Sequence, residues 1–105
     1  MTKVNPCDFV VLVPIQPDRE DFQKIHTVCE QYGKLDDTYG FAKIYLMGSN
    51  ITVYLEYAED GHVLDADVKI LLPLIDADTG TELTLQQISD IADSMYAKLL
   101  RGVFI

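Results

Sequence analysis

Hydrophobic and polar positions alternate in three consecutive segments of the chain. Residues 39–47, 51–58 and 62–72 each follow this pattern, and the turn sequences GSN and EDG separate them. Alternation of this kind is typical of half-buried strands that are joined as hairpins. The sequence therefore predicts a three-stranded antiparallel meander in the middle of the chain, and Pro73 is expected to end its last strand or to lie at an edge.

Two further segments, residues 17–33 and 83–102, repeat apolar residues at helical spacing. The first stripe consists of Phe22, Ile25, Cys29 and Tyr32. The second consists of Leu85, Ile88, Ala92, Met95 and Leu99. Stripes of this width predict two amphipathic helices that each bury one face. Gly33 and Gly102 are placed to end them.

The two ends of the chain carry shorter apolar segments. Residues 8–15 begin with Asp8 but are otherwise apolar and rich in β-branched side chains, which predicts a strand buried on both faces. Between the first helix and the meander, residues 34–38 are predicted to form a loop. The tail 103–105 is expected to form a short strand or to pack as a terminus.

The predicted order of elements is β-α-β-β-β-α. Two amphipathic helices that cover one face of an antiparallel sheet form an α+β two-layer sandwich. With 105 residues, 49% of them hydrophobic, the chain is long enough to bury one core, so residues 1–105 are expected to be a single domain.

The charge is strongly negative and unevenly distributed. The net charge is −9 and the isoelectric point about 4.3. Residues 1–52 hold five basic and seven acidic residues, whereas residues 53–105 hold three and ten. Such a surface repels phosphate backbones and attracts basic proteins, so direct binding of nucleic acid is not expected. The same acidity also favours solubility, whether or not a partner exists.

The sequence DADTGTE, residues 76–82, resembles a calcium-binding loop. Counted from Asp76, however, the fifth position is Gly80, the sixth is Thr81 and the twelfth is Gln87, none of which suits an EF-hand. Thr84 and Gln87 instead have the spacing of a helix capping box. The segment is therefore predicted to be a turn that leads into the second helix.

Other chemical signatures are weak. Cys7, His26, Cys29 and His62 are the residue types of a zinc site, but only His26 and Cys29 are close in sequence. Phosphate-binding loops and nucleophile elbows are missing from the sequence. We therefore expect no enzyme activity, cofactor or metal. The longest apolar runs are too short to span a bilayer, and no signal peptide is recognised, so we expect a cytoplasmic protein with free thiols.

The alternation also predicts which residues share a sheet face. The face toward the helices is expected to carry Ala42, Ile44, Leu46, Ile51, Val53, Leu55, Leu64, Ala66, Val68 and Ile70. The opposite face is expected to carry Phe41, Lys43, Tyr45, Met47, Tyr54, Glu56, Asp65, Asp67 and Lys69. Aromatic side chains beside carboxylates fit a protein partner better than RNA, although cross-strand pairs of this kind also stabilise sheets.

These features favour a small, non-enzymatic, acidic binding protein that docks on a basic protein surface. The predicted contacts are Tyr45, Tyr54, Glu56, Glu59, Asp60, Asp65 and Asp67, with Asp90 and Asp93 as a second patch. In size and charge the chain is similar to phage and plasmid inhibitors, including anti-CRISPR, anti-restriction and immunity proteins, some of which imitate nucleic acid. Alternatively, the helices and meander resemble acidic type III secretion chaperones, which implies an adaptor that forms homodimers.

Overall fold

A computed structural model describes residues 10–76 and 78–102. The described chain forms strand β1 (Val10–Ile15), a 3-10 turn (Arg19–Asp21), helix α1 (Phe22–Tyr32) and strand β2 (Lys34–Tyr39). Strands β3 (Ala42–Met47), β4 (Ile51–Tyr57) and β5 (Val63–Pro73) follow, and helix α2 (Leu85–Leu100) ends the order. Residues 8 and 9 of the predicted first strand, and the tail 103–105, lie outside the described residues.

All five strands belong to one open antiparallel sheet with the order β1-β5-β4-β3-β2. The predicted meander is present as β3, β4 and β5, and the α+β class is confirmed. Both β1 and β2 are edge strands. The prediction that the first strand is buried on both faces is therefore wrong, because Val10 is 43% and Leu12 52% exposed.

Strand β2 was predicted to be a loop. Each of its residues is exposed, so no buried alternation reveals it in the sequence. A bulge between Leu35 and Asp37 also breaks the register with β3. Tyr39 ends this strand, and Gly40, with a φ of 58°, provides the positive-φ turn into β3. Phe41 therefore lies in that turn, which corrects its predicted place on a sheet face.

One face of the sheet and one stripe of each helix form a common apolar core. Val53, Leu55, Val68 and Ile70 are fully buried on the sheet, and Ile25 of α1 and Leu99 of α2 are equally inaccessible. Helix α1 contacts β3 and β5, whereas α2 contacts β1 and β5. We call the face that carries this core the helix face, and the opposite one the open face.

A tight connection joins α1 to β2 at Gly33. A Cβ atom at this position would come within 2.6 Å of both the Cys29 carbonyl oxygen and the Met47 sulfur. The Gly33 N–H donates to that same carbonyl at 2.8 Å, which closes the last turn of the helix. The absence of a side chain therefore lets the helix end directly against β3.

The turn before α2 has the predicted conformation. Asp76 accepts a hydrogen bond from the Asp78 N–H at 2.8 Å through its carboxylate, and Gly80 has a φ of 70°. At the helix start, Thr84 Oγ1 accepts from the Gln87 N–H at 3.1 Å, and Gln87 Oε1 accepts from the Thr84 N–H at 2.8 Å. Both bonds of the capping box are thus formed.

Thr84→Ala should lower the free energy of unfolding by about 1 kcal/mol, because the Gln87 N–H loses its acceptor. Chemical denaturation monitored by circular dichroism measures the change. Thr27→Ala is the matched control, since exposed Thr27 only donates to the Gln23 carbonyl at 2.9 Å within α1. We expect that control to change the unfolding free energy by less than about 0.5 kcal/mol. Equal losses in both variants would contradict a role for the cap.

Candidate functional site

Four of the predicted contact residues lie together on the open face. Tyr54 and Glu56 belong to β4, and Asp65 and Asp67 belong to β5. The register of the two strands pairs Tyr54 with Asp67 and Glu56 with Asp65. These four residues form one contiguous group, which we call the acidic sheet face.

The acidic sheet face sets like charges directly opposite each other. Glu56 and Asp65 are cross-strand partners, an arrangement that costs stability in a sheet. The carboxylate of Asp65 accepts a hydrogen bond from its neighbour Ala66 N–H at 2.9 Å, and the Gln16 side chain approaches it at 3.4 Å. In residues 10–76 and 78–102, both ion pairs involve histidine, so no lysine or arginine there pairs with these carboxylates.

A shallow concavity of about 310 Å³ lies beside these carboxylates. Its lining consists of Ile44, Thr52, Tyr54, Asp67 and Lys69. Ile44 stands opposite Tyr54 on β3, so an apolar floor adjoins the carboxylate of Asp67. The Lys69 ammonium offers the only positive charge in that lining. An apolar floor with a carboxylate at its rim suits an amphipathic cation such as the side chain of arginine.

Strand β2 adds three residues to the open face that the sequence interpretation missed, the first of which is Lys34, opposite Leu46. Asp37 stands opposite Ile44, and Tyr39 stands opposite Ala42. The Tyr39 hydroxyl and then the Thr38 N–H, at 2.8 Å, lower the pKa of the Asp37 carboxyl by hydrogen bonding. In the sequence, Gly40 was the one residue in this region that favours a turn. The open face therefore carries carboxylates on both sides of Tyr54.

Tyr45 does not belong to this surface. It is only 6% exposed and stands opposite Val53 on the helix face. Met47 is likewise buried there opposite Ile51, and Lys43 shares that face, with its ammonium 5.4 Å from the centre of the Tyr57 ring. The predicted faces of β3 were therefore reversed, and Ile44 and Leu46 lie on the open face instead.

The other predicted contacts are separated from the acidic sheet face or lie at its margin. Glu59 and Asp60 are exposed in the turn after β4, where Asp60 accepts from the His62 N–H at 3.1 Å. This bond is the main cause that lowers the pKa of the Asp60 carboxyl. Asp90 and Asp93 are exposed on α2, and Asp90 accepts from Gln86 at 2.8 Å. They lie on the helix side of the sheet and form a separate patch.

Leu64 was also misplaced. The register passes from Glu56–Asp65 to Tyr57–Val63, so Leu64 is the extra residue of a bulge. It is 49% exposed instead of buried under the helices.

A second polar cluster joins α1 to the helix face. His26 Nδ1 lies 2.7 Å from the Tyr57 hydroxyl, and His26 Nε2 lies 3.5 Å from a Glu30 carboxylate oxygen. Burial raises the pKa of Tyr57, with the neighbouring Tyr45 contributing next. A phenol that keeps its proton acts as a hydrogen-bond partner for His26 and not as a nucleophile. This cluster therefore ties α1 to β4.

The three zinc ligands considered from the sequence that the structure describes, His26, Cys29 and His62, do not converge. His26 contacts Tyr57, His62 contacts Asp60, and Cys29 is fully buried, where burial raises the pKa of its thiol to about 12. Cys7 lies outside the described residues. Within the described part of the chain, no group of three or more His, Cys, Asp or Glu side chains is arranged to hold a metal ion.

Comparison with known proteins gives no match to a protein-family model, a curated protein or a solved structure. Among the described residues, no helix has the length and apolar character needed to cross a membrane. Inferences about function therefore rest on the open face itself.

The buried thiol and phenols predict a loss of stability at alkaline pH. Folded Cys29, Tyr57 and Tyr96 hold their protons above the pH at which an unfolded chain releases them, because burial raises each pKa. The contribution of these three groups to the free energy of unfolding should therefore be constant below about pH 8.5 and fall as the pH rises through the thiol and then the phenol range, near pH 10.

Denaturant titrations at several pH values measure this dependence. Cys29→Ala is the control, since a methyl group cannot ionise and the slope between about pH 8.5 and pH 10 should become shallower. Tyrosinate absorbance should show that the phenols of Tyr57 and Tyr96 ionise only as the protein unfolds. A flat free energy across that range would contradict the burial of these groups.

Proposed function

We propose that this protein is a small, non-enzymatic binding protein that docks its acidic sheet face on a basic surface of a protein partner. The observation that carries the proposal is the group of three carboxylates around Tyr54, none of which forms an ion pair with a described lysine or arginine. Opposing like charges cost the isolated sheet stability. A basic partner surface relieves that repulsion.

The proposed partner chemistry follows from what surrounds the carboxylates. Tyr54 and Ile44 offer apolar area at the centre, and Asp37 and Asp67 lie on either side. An aromatic centre with a charged rim is the usual composition of a binding hot spot. Basic surfaces of this kind occur where proteins bind nucleic acid, so inhibition by occupying such a surface is the mode of action we propose.

Only the sheet residues carry this proposal. Asp90 and Asp93 face away from the open face on α2, and Tyr45 is in the core. The net charge of −9 contributes long-range attraction, which raises association rates but does not select a docking face. We propose the cytoplasm as the location, consistent with the free thiol of Cys29.

The test compares two charge reversals that change the net charge equally. Asp65→Lys with Asp67→Lys alters the acidic sheet face, and Asp90→Lys with Asp93→Lys alters α2. A partner captured from the host by the wild-type protein should have a basic surface and bind more weakly as salt rises. The sheet variant should associate with the purified partner at least about tenfold more slowly, whereas the α2 variant should keep most of the wild-type rate.

Tyr54→Ala should act mainly on dissociation, because a buried aromatic anchor contributes short-range contacts. We expect the dissociation rate, measured by surface plasmon resonance, to rise by about tenfold or more. Equal losses in the two charge variants would show that acidity acts only through net charge. Binding that is insensitive to salt and to all three variants would contradict docking through the acidic sheet face.

A further inference from the structure

The two edges of the sheet differ in how well they are protected from pairing with another strand. Strand β2 carries Lys34, Asp36 and Asp37 and a bulge, which are common devices against edge pairing. Strand β1, with the sequence VVLVPI, carries no charge at all. The protein has a net charge of −9, so two copies repel each other over most of their surface. At β1 they can meet without placing like charges on the two paired strands.

The main chain of β1 is oriented for a further strand. The Leu71 N–H donates to the Asn50 carbonyl at 2.8 Å, so the polar groups of Leu71 point toward β4 and away from β1. Leu12 stands opposite Leu71. In an antiparallel ladder, the polar groups of Leu12 must then point outward, and those of Val10, two residues earlier, do the same.

Pro14 fits this orientation. Pro14 lies two residues after Leu12, so its backbone nitrogen also faces away from β5. The N–H that proline lacks is therefore not needed for pairing with β5. The hydrogen bonds between β1 and β5 come from the alternate residues Val11, Val13 and Ile15. Within residues 10–76 and 78–102, no strand pairs with the outer edge of β1, which thus offers the N–H and C=O groups of Val10 and Leu12, together with the carbonyl of Pro14.

Apolar side chains accompany that outer edge on the open face. Val10 is 43% exposed, Leu12 is 52% exposed and Leu71, opposite Leu12, is 38% exposed. Exposed apolar side chains beside an outward-facing main chain are what an added strand would cover.

We propose that β1 pairs with β1 of a second copy of this chain, antiparallel and about a twofold axis at Val11. Val10 of each copy then stands opposite Leu12 of the other, and each of these pairs can exchange two main-chain hydrogen bonds. Centring the pair on Leu12 instead would set the Val10 carbonyl against Pro14, which has no N–H. The dimer has one continuous sheet of ten strands, twice the five of a single copy.

The proposed dimer leaves the acidic sheet face accessible. Antiparallel pairing about an axis perpendicular to the sheet keeps the open faces of both copies on the same side. The dimer would thus present two acidic faces in one direction. Salt separates the two interactions, because it screens the repulsion between two acidic copies and so should strengthen the dimer, while it weakens binding to a basic partner.

The test measures the oligomeric state of the full chain by sedimentation equilibrium over a wide concentration range. The wild-type protein should be a dimer that dissociates on dilution. Leu12→Lys should be monomeric, because each copy would place a positive charge beside the paired strands and the two charges would repel each other. Leu35→Lys is the matched control, since Leu35 is 49% exposed on the other edge strand, and it should remain dimeric. Circular dichroism confirms that both variants are folded.

A cysteine variant tests the register. In a Cys7→Ser background, Val11→Cys places two thiols on the twofold axis in a pair that lacks mutual hydrogen bonds, where the Cα separation suits a disulfide. Oxidation should link the copies, whereas Val13→Cys in the same background should stay unlinked. A wild-type protein that is monomeric throughout, or a dimer that persists in Leu12→Lys, would overturn the proposal. The proposal would also be overturned if the protein is a monomer and a captured partner protects the β1 main chain from hydrogen exchange.

Discussion

The alternation of side chains along β4 and β5 is the constraint on which the rest of the molecule depends. Val53 and Val68 are direct partners and both are fully buried, so every second residue of each strand faces the helices. A shift of one residue would expose this apolar set to solvent and bury Asp67, at a cost the domain could not sustain. The core thereby fixes the acidic group on the open face, although none of its members packs in the core.

The helix side is held by contacts of a different kind. Ile25 and Leu99 contribute the apolar contact from the two helices. The His26–Tyr57 hydrogen bond fixes α1 over β4, and Tyr96 on α2 reaches Asp21 before α1 at 3.3 Å. These two hydrogen bonds orient the helices. They also give each partly buried phenol a partner, without which it would cost stability. The carboxylates of the acidic sheet face form no ion pair with a described lysine or arginine, which is why binding is proposed there.

The sequence was most informative where only one structure suits its pattern. The α2 cap was predictable because Thr84 and Gln87 have complementary hydrogen-bonding groups at a fixed spacing. The faces of β4 and of residues 65–70 in β5 were predictable because apolar residues alternate there with charged or hydroxyl-bearing ones. In β3, by contrast, Ile44 and Tyr45 are both acceptable in a core. The choice between them was made by pairing with β4, which a single sequence does not display.

Edges were the other difficulty. A strand that is apolar on both faces is usually central, yet β1 lies at the margin because β4 already occupies the other side of β5. Strand β2 has no buried residue, so its hydrogen bonds with β3 define it. Glu56, Asp65 and Asp67 could be assigned to the site from the sequence, whereas Asp37 and Tyr39 were recognised only when β2 was placed beside β3.

The pairing of the first described strand with the last one has a consequence for the order of folding. Strands β2 to β5 are joined by short connections, so their hairpins can form early with little loss of chain entropy. Strand β1 has no place until β5 is formed, and the intervening chain must be closed into a large loop before it docks. The N-terminal strand is therefore expected to join late in folding and to leave first in partial unfolding. During synthesis, the N-terminal strand would emerge from the ribosome long before its partner exists.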